Sequence, residues 1–183
     1  MKNRLLPNYL TGIRLLLVPL FLLLFMTGRQ DICAAVFILS GITDVLDGYL
    51  ARKWNAVSDL GKILDPIADK LTYASAIFCL FACGRLPLYF VVLFCLVQLS
   101  QGIGALFLYK SKSTVVHSNL FGKLAGFFVF LLCAAALLFY SDNTALTVAL
   151  PILCAVASGL TVSAGVSYFL CYIKKPQNKH IKP

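Results

Sequence analysis

Residues 44–52 read Asp44-Val45-Leu46-Asp47-Gly48-Tyr49-Leu50-Ala51-Arg52, and residues 61–69 read Gly61-Lys62-Ile63-Leu64-Asp65-Pro66-Ile67-Ala68-Asp69. The first segment closes an apolar run that starts near residue 32, and the second opens one that continues to about residue 83. On a helix Asp44 and Asp47 are i, i+3 neighbours, and Gly48 and Ala51 continue that face. Gly61, Asp65 and Asp69 recur every four residues and also share a face. A short polar connection joins the two runs, so they are predicted to be antiparallel helices with their acidic ends together. At 1.5 Å of rise per residue, Asp44 lies about 12 Å in from Arg52, and Asp69 about 12 Å in from Gly61. Asp47 and Asp65 come at about 7 Å and 6 Å on the same count. The four carboxylates are matched in depth.

The surrounding sequence shows what these helices are immersed in. Hydrophobic residues make up 60% of the 183 and charged residues only 13%, and the mean hydropathy is +0.88. A water-soluble domain of this size could not hide that much apolar side chain, so the bilayer is the expected solvent. A span needs about 20 apolar residues, and six runs qualify: about 10–26, 32–52, 61–83, 88–109, 120–140 and 145–172. The breaks between them carry turn or polar residues, among them Thr27-Gly28-Arg29-Gln30-Asp31, Gly84-Arg85-Leu86-Pro87 and Ser141-Asp142-Asn143. The first run follows Lys2 and Arg4 but has no small-residue cleavage site after it, so it reads as a retained helix and not a signal peptide. The fold expected is all-α: an integral membrane bundle of six transmembrane helices forming one domain over 1–183.

The net charge is +9. Basic residues fall mostly on one side of this layout: Lys2, Arg4, Arg52, Lys53, Lys62, Lys110, Lys112, Lys123 and the tail lysines Lys174, Lys175, Lys179 and Lys182. The other side keeps Arg29 and Arg85. Lysine and arginine favour the cytoplasmic face, so both termini are expected there. The aromatic residues lie in apolar runs and are not interleaved with the basic ones, which argues against nucleic acid as a partner. The seven cysteines sit in or beside apolar runs without a CxxC pair, and read as buried thiols.

Acidic residues are few. The chain has no glutamate, and five of its seven aspartates lie between positions 44 and 69. One aspartate at the centre of a membrane helix costs roughly 2.5–3.5 kcal/mol, so four uncompensated ones would cost on the order of 10 kcal/mol. Lys70 and Arg52 cannot balance four clustered anions. Divalent cations can, and an all-oxygen ligand set suits Mg²⁺ or Mn²⁺. Two such ions would clamp the attacking and leaving oxygens of a phosphoryl displacement. A water-filled vestibule or an ion path is the structural alternative. Gly48, Ala51 and Gly61 leave space where the helices meet, either for close helix packing or for a flat nucleotide base.

These residues resemble the CDP-alcohol phosphatidyltransferase family, whose motif D-x2-D-G-x2-A-R-x8-G-x3-D-x3-D is matched at all eight fixed positions. The resemblance implies a metal-dependent enzyme of phospholipid biosynthesis that transfers a phosphatidyl group from CDP-diacylglycerol to a small alcohol, releasing CMP. It implies that Asp44, Asp47 and Asp65 ligate metal ions, with Asp69 at the same centre as general base. Gly48, Ala51 and Gly61 would border the nucleotide, and Arg52 its phosphates. It further implies a homodimer in a bacterial inner membrane, with the active site facing the cytoplasm.

The opening Pro7-Asn8-Tyr9-Leu10-Thr11-Gly12-Ile13-Arg14 and the stretch Asp65-Pro66-Ile67-Ala68-Asp69-Lys70 look like the bacterial branch that uses glycerol 3-phosphate. CMP-forming cardiolipin synthases share both features. In the second half, that branch carries an Arg-Glu pair where this chain has Val97-Gln98-Leu99-Ser100-Gln101. It also has G-K-x-K-T-x-x-Q where this chain has Gly122-Lys123-Leu124-Ala125. Glycerol 3-phosphate is the expected acceptor, with phosphatidylglycerol or another polyol as alternatives. Arg14, one turn into an apolar helix, needs an anion, for which a lipid or nucleotide phosphate is the candidate, or else snorkels to the interface. Lys110, Lys112, His117 and Lys123 are candidates for an acceptor phosphate, against the plain reading of a basic inner loop. Outside enzymes, a metal-ion transporter or a lipid-binding membrane protein is the competing class.

Overall fold

The computed structural model describes residues 6–54, 59–110, 120–139 and 144–173. Six helices account for nearly all of them: α1 Leu6–Met26, α2 Gln30–Trp54, α3 Asp59–Ala82, α4 Leu88–Lys110, α5 Leu120–Leu138 and α6 Thr144–Ile173. No strand occurs among the described residues. Each helix coincides with one apolar run of the sequence. α3 begins at Asp59, two residues before the expected start, so Pro66 lies beyond the first turn, where a proline gives up a backbone bond.

The two short turns are set by glycine. Gly28 and Gly84 have φ of 73° and 70°, in the left-handed region that costs other residues about 1 kcal/mol or more. Each closes its helix with a paired set of bonds. Gly28 N–H donates to Phe25 and Arg29 N–H to Leu24, at 3.1 Å each; Gly84 N–H donates to Phe81 at 2.8 Å and Arg85 N–H to Leu80 at 2.9 Å. This double bond pattern satisfies carbonyls that a helix end otherwise leaves open. Arg85 also donates through Nη1 to the carbonyls of Ala136, at 2.5 Å, and Phe139, at 3.2 Å. It thereby caps the C-terminal end of α5, where a cation is favoured by the helix dipole.

The helices pack as a closed ring in the order α1, α2, α5, α6, α4, α3 and back to α1, with α3 also touching α5 across the middle. α2 and α3 make the sparsest contact of all, whereas α1 packs closely on both. The two helices that carry the aspartates are therefore held by a third and not mainly by each other.

The core lies towards the end of the bundle away from the aspartates, built from Phe21, Cys33, Phe37, Ile77, Leu80, Phe90, Leu132 and Leu137. Phe37 is its hub, stacked on Phe130 at 5.3 Å and edge-on to Tyr73 at 6.3 Å. Gly41 lets Phe130 in, because a β-carbon there would overlap the ring. Large apolar side chains point outward on several helices, including Leu16, Val45, Phe78, Leu96 and Leu99. Among the described residues one stretch, Ala149–Ser167 in α6, is long and apolar enough to cross a membrane. Shorter apolar stretches occupy Thr11–Met26, Leu88–Gly102 and Gly122–Leu138.

Candidate active site

The acidic ends of α2 and α3 meet on the first turns of α1. Arg14 is buried, and its Nη1 lies 2.7 Å from Oδ1 of Asp44 on α2 and 2.8 Å from Oδ1 of Asp69 on α3. One turn earlier, the buried Thr11 donates its hydroxyl to Oδ1 of Asp65. Thr11 and Arg14 are i, i+3 neighbours, so one face of α1 engages three aspartates. Among the described residues, Arg14 meets two of the protein's own carboxylates and is buried.

Asp44 and Asp69 border a cavity of about 790 Å³ between α1, α2, α3 and α5, a size suited to a small-molecule ligand. Helical spacing sets its walls: Phe37, Ser40, Gly41 and Asp44 from α2, Asp69, Thr72 and Tyr73 from α3, and Gly122, Lys123, Gly126, Phe127 and Phe130 from α5. Ser40 Oγ is buried with no hydrogen-bond partner among the described residues. A buried hydroxyl on a cavity wall left in that condition expects a ligand or water partner. Beyond Tyr73, Gly122 and Gly126 lies a chamber of about 110 Å³ whose polar lining is Tyr73, Gln98, Gln101 and Thr161.

Of the residues expected at the site, Asp44, Asp69, Arg14 and Lys123 come together around the large cavity. Asp65 faces Thr11 on the α1 side. Gly48 lies on α2 one turn beyond Asp44. Asp47, Ala51, Arg52, Gly61 and Lys110 are placed by their helix positions alone, and Lys112 and His117 lie outside the described residues. Lys70, next to Asp69, extends towards Gly102 of α4, so Arg14 is the cation between Asp44 and Asp69. Thr11, Ser40 and Tyr73 carried no assignment in the sequence. Thr11 had one available signal, its position three residues before a membrane arginine.

The donor chemistry fits a hard divalent cation: carboxylates of two helices, oxygen atoms only, beside a cavity and in excess over Arg14 in charge. As the side chains stand, no three ligating groups among the described residues surround one point. Arg14 and Thr11 contact Oδ1 of Asp44, Asp69 and Asp65.

A sequence model of the family described as CDP-alcohol phosphatidyltransferase matches residues 4–163. The chain is 50% identical over 74 residues to the CDP-diacylglycerol–glycerol-3-phosphate 3-phosphatidyltransferase of Rickettsia typhi, a match covering 39% of this chain and 40% of that protein. The chain thus spans about two fifths of that relative's length in the match. It is 31% identical over 134 residues to the Bacillus subtilis protein of the same name, covering 65% of this chain and 69% of that protein. With a probable phosphatidylglycerophosphate synthase of Mycobacterium tuberculosis the identity is 37% over 169 residues, covering 89% and 79%.

Proposed function

The chain belongs to the CDP-alcohol phosphatidyltransferase family, and on that premise we propose that it transfers a phosphatidyl group from CDP-diacylglycerol to glycerol 3-phosphate, releasing CMP. The observation that carries this reading is the convergence of Asp44 and Asp69, from two helices, at the edge of one large cavity. Asp44, Asp47, Asp65 and Asp69 would hold Mg²⁺ or Mn²⁺, two ions in all. Bound there, the ions would polarise the substrate pyrophosphate and take up the charge of departing CMP.

The protein's own groups supply the rest. Asp69, on the cavity wall, accepts the proton of the acceptor hydroxyl. That oxygen then bonds to the phosphorus bearing diacylglycerol as the bond to CMP breaks. Lys123, on the same wall, offers a charge to the acceptor phosphate, and Gly48, Ala51, Gly61 and Arg52 border the nucleotide. A phosphotransfer of this kind depends on positioning and electrostatics, which a site spread over four helices can provide.

The outward apolar side chains and the one-sided basic residues support six transmembrane spans in a single domain. Both termini and the active site would face the cytoplasm of a bacterial inner membrane, and the protein would act as a homodimer. Cys83 is exposed at the end of α3 away from the aspartates. A membrane-impermeant maleimide should therefore label it in intact cells, whereas labelling only after permeabilisation contradicts the orientation.

One observation favours a second acceptor. The chamber beyond Tyr73 is lined by the neutral amides Gln98 and Gln101, which suit hydroxyl groups better than a phosphate; phosphatidylglycerol or another polyol would then be used. An acceptor panel decides the matter. Purified protein with Mn²⁺ and CDP-diacylglycerol should consume glycerol 3-phosphate, and product with phosphatidylglycerol alone would reverse the ranking.

A further inference from the structure

A single nitrogen of Arg14 stands within hydrogen-bond distance of both Asp44 and Asp69, two of the carboxylates that the proposed function gives to divalent cations. A guanidinium makes only donor contacts and keeps its positive charge at any accessible pH. A hard divalent cation held by the same two carboxylates would take their oxygens at about 2.1 Å. It would then sit within a few ångströms of Arg14, where like charges repel strongly away from bulk water. Two cations drawing on the same pair of carboxylates would therefore compete.

We propose that Arg14 is a resident cation of this site, which gives up Asp44 and Asp69 when divalent cations bind and turns towards the anionic substrate in the adjoining cavity. The inference rests on the assignment of the aspartates to metal made above. Two observations support it. Arg14 is 1% exposed, yet it forms part of the wall of the large cavity, so its guanidinium has space beside it to enter. Thr11 holds Asp65 from the same helix face, so α1 stays anchored while Arg14 moves. Cation binding is then an exchange, in which Arg14 keeps the aspartates balanced but weakens the apparent affinity for metal.

The test is a Mn²⁺ titration of the full-length protein in detergent, with free Mn²⁺ read by electron paramagnetic resonance. Removing a competing internal cation should tighten binding, so Arg14→Gln is expected to bind Mn²⁺ about tenfold more tightly than wild type. The same variant should unfold at a lower temperature without Mn²⁺, with the gap closing as Mn²⁺ is added. Arg14→Lys keeps a charge on a shorter stem and secures the test should Arg14→Gln not fold; it should bind Mn²⁺ more tightly than wild type by a smaller margin. Equal or weaker binding in the variants overturns the proposal and makes Arg14 a group that stays with the metal. Absence of Mn²⁺ binding by wild type is a different failure, because it removes the metal assignment itself.

Discussion

Thr11 and Arg14 carry the residue-scale argument. The sequence marks the carboxylates plainly, because four charges inside apolar runs have few physical justifications. It does not say which neighbours hold them. Arg14 stands out as a lone cation in α1, but a phosphate and a carboxylate satisfy it equally well, and only the packing of α1 on α2 and α3 decides between them. Thr11 was harder to find, since a threonine in a membrane helix commonly bonds its own backbone, as Thr72 and Thr161 do here. Its bond to Asp65 yields a prediction. Thr11→Val keeps the shape and removes the donor, so it should cost about 1.5 kcal/mol, seen as a lower unfolding temperature in detergent with unchanged helix content. Thr11→Ser should restore most of the loss. An unchanged midpoint in Thr11→Val would mean that the bond contributes nothing.

At the scale of elements, all six helices and both glycine turns can be read from the sequence. The runs are long, and Gly28 and Gly84 stand where a left-handed residue is needed to stop a helix. What the sequence hides is which helices touch. Apolar faces in a membrane helix are nearly uniform, so periodicity cannot pick a partner, and the wedge of α1 between α2 and α3 had no signal of its own. The same holds for Gly41 and Gly126, which look alike in the sequence. A β-carbon at Gly41 overlaps Phe130, whereas one at Gly126 meets nothing within 4 Å. Gly41→Ala should therefore destabilise by about 1–3 kcal/mol as the stacked Phe37–Phe130 pair is forced apart, while Gly126→Ala should leave stability nearly unchanged. Thermal unfolding of the two variants side by side checks this, and equal effects would contradict the packing of α2 on α5.

For the molecule as a whole, the ring of helices places its polar chemistry at one end and its aromatic core at the other. That division lets the helical bundle stay folded while Asp44 and Asp69 face a cavity large enough for a nucleotide. The apolar runs made the all-helical fold legible, and the eight motif positions pointed to the family, but the acceptor rests on few groups. Lys123 on the cavity wall and the amides Gln98 and Gln101 in the side chamber favour different alcohols. The central proposal does not depend on that choice: the carboxylates at the junction of α2 and α3 would run a cation-dependent transfer with Asp69 as base. CMP release from CDP-diacylglycerol in mixed micelles, measured with and without Mn²⁺ and acceptor, tests it most directly. Wild type should release CMP only when both are present, and Asp69→Asn should be slower by about 10²–10⁴-fold while remaining folded. Release that ignores Mn²⁺, or that proceeds equally fast in Asp69→Asn, would contradict the account.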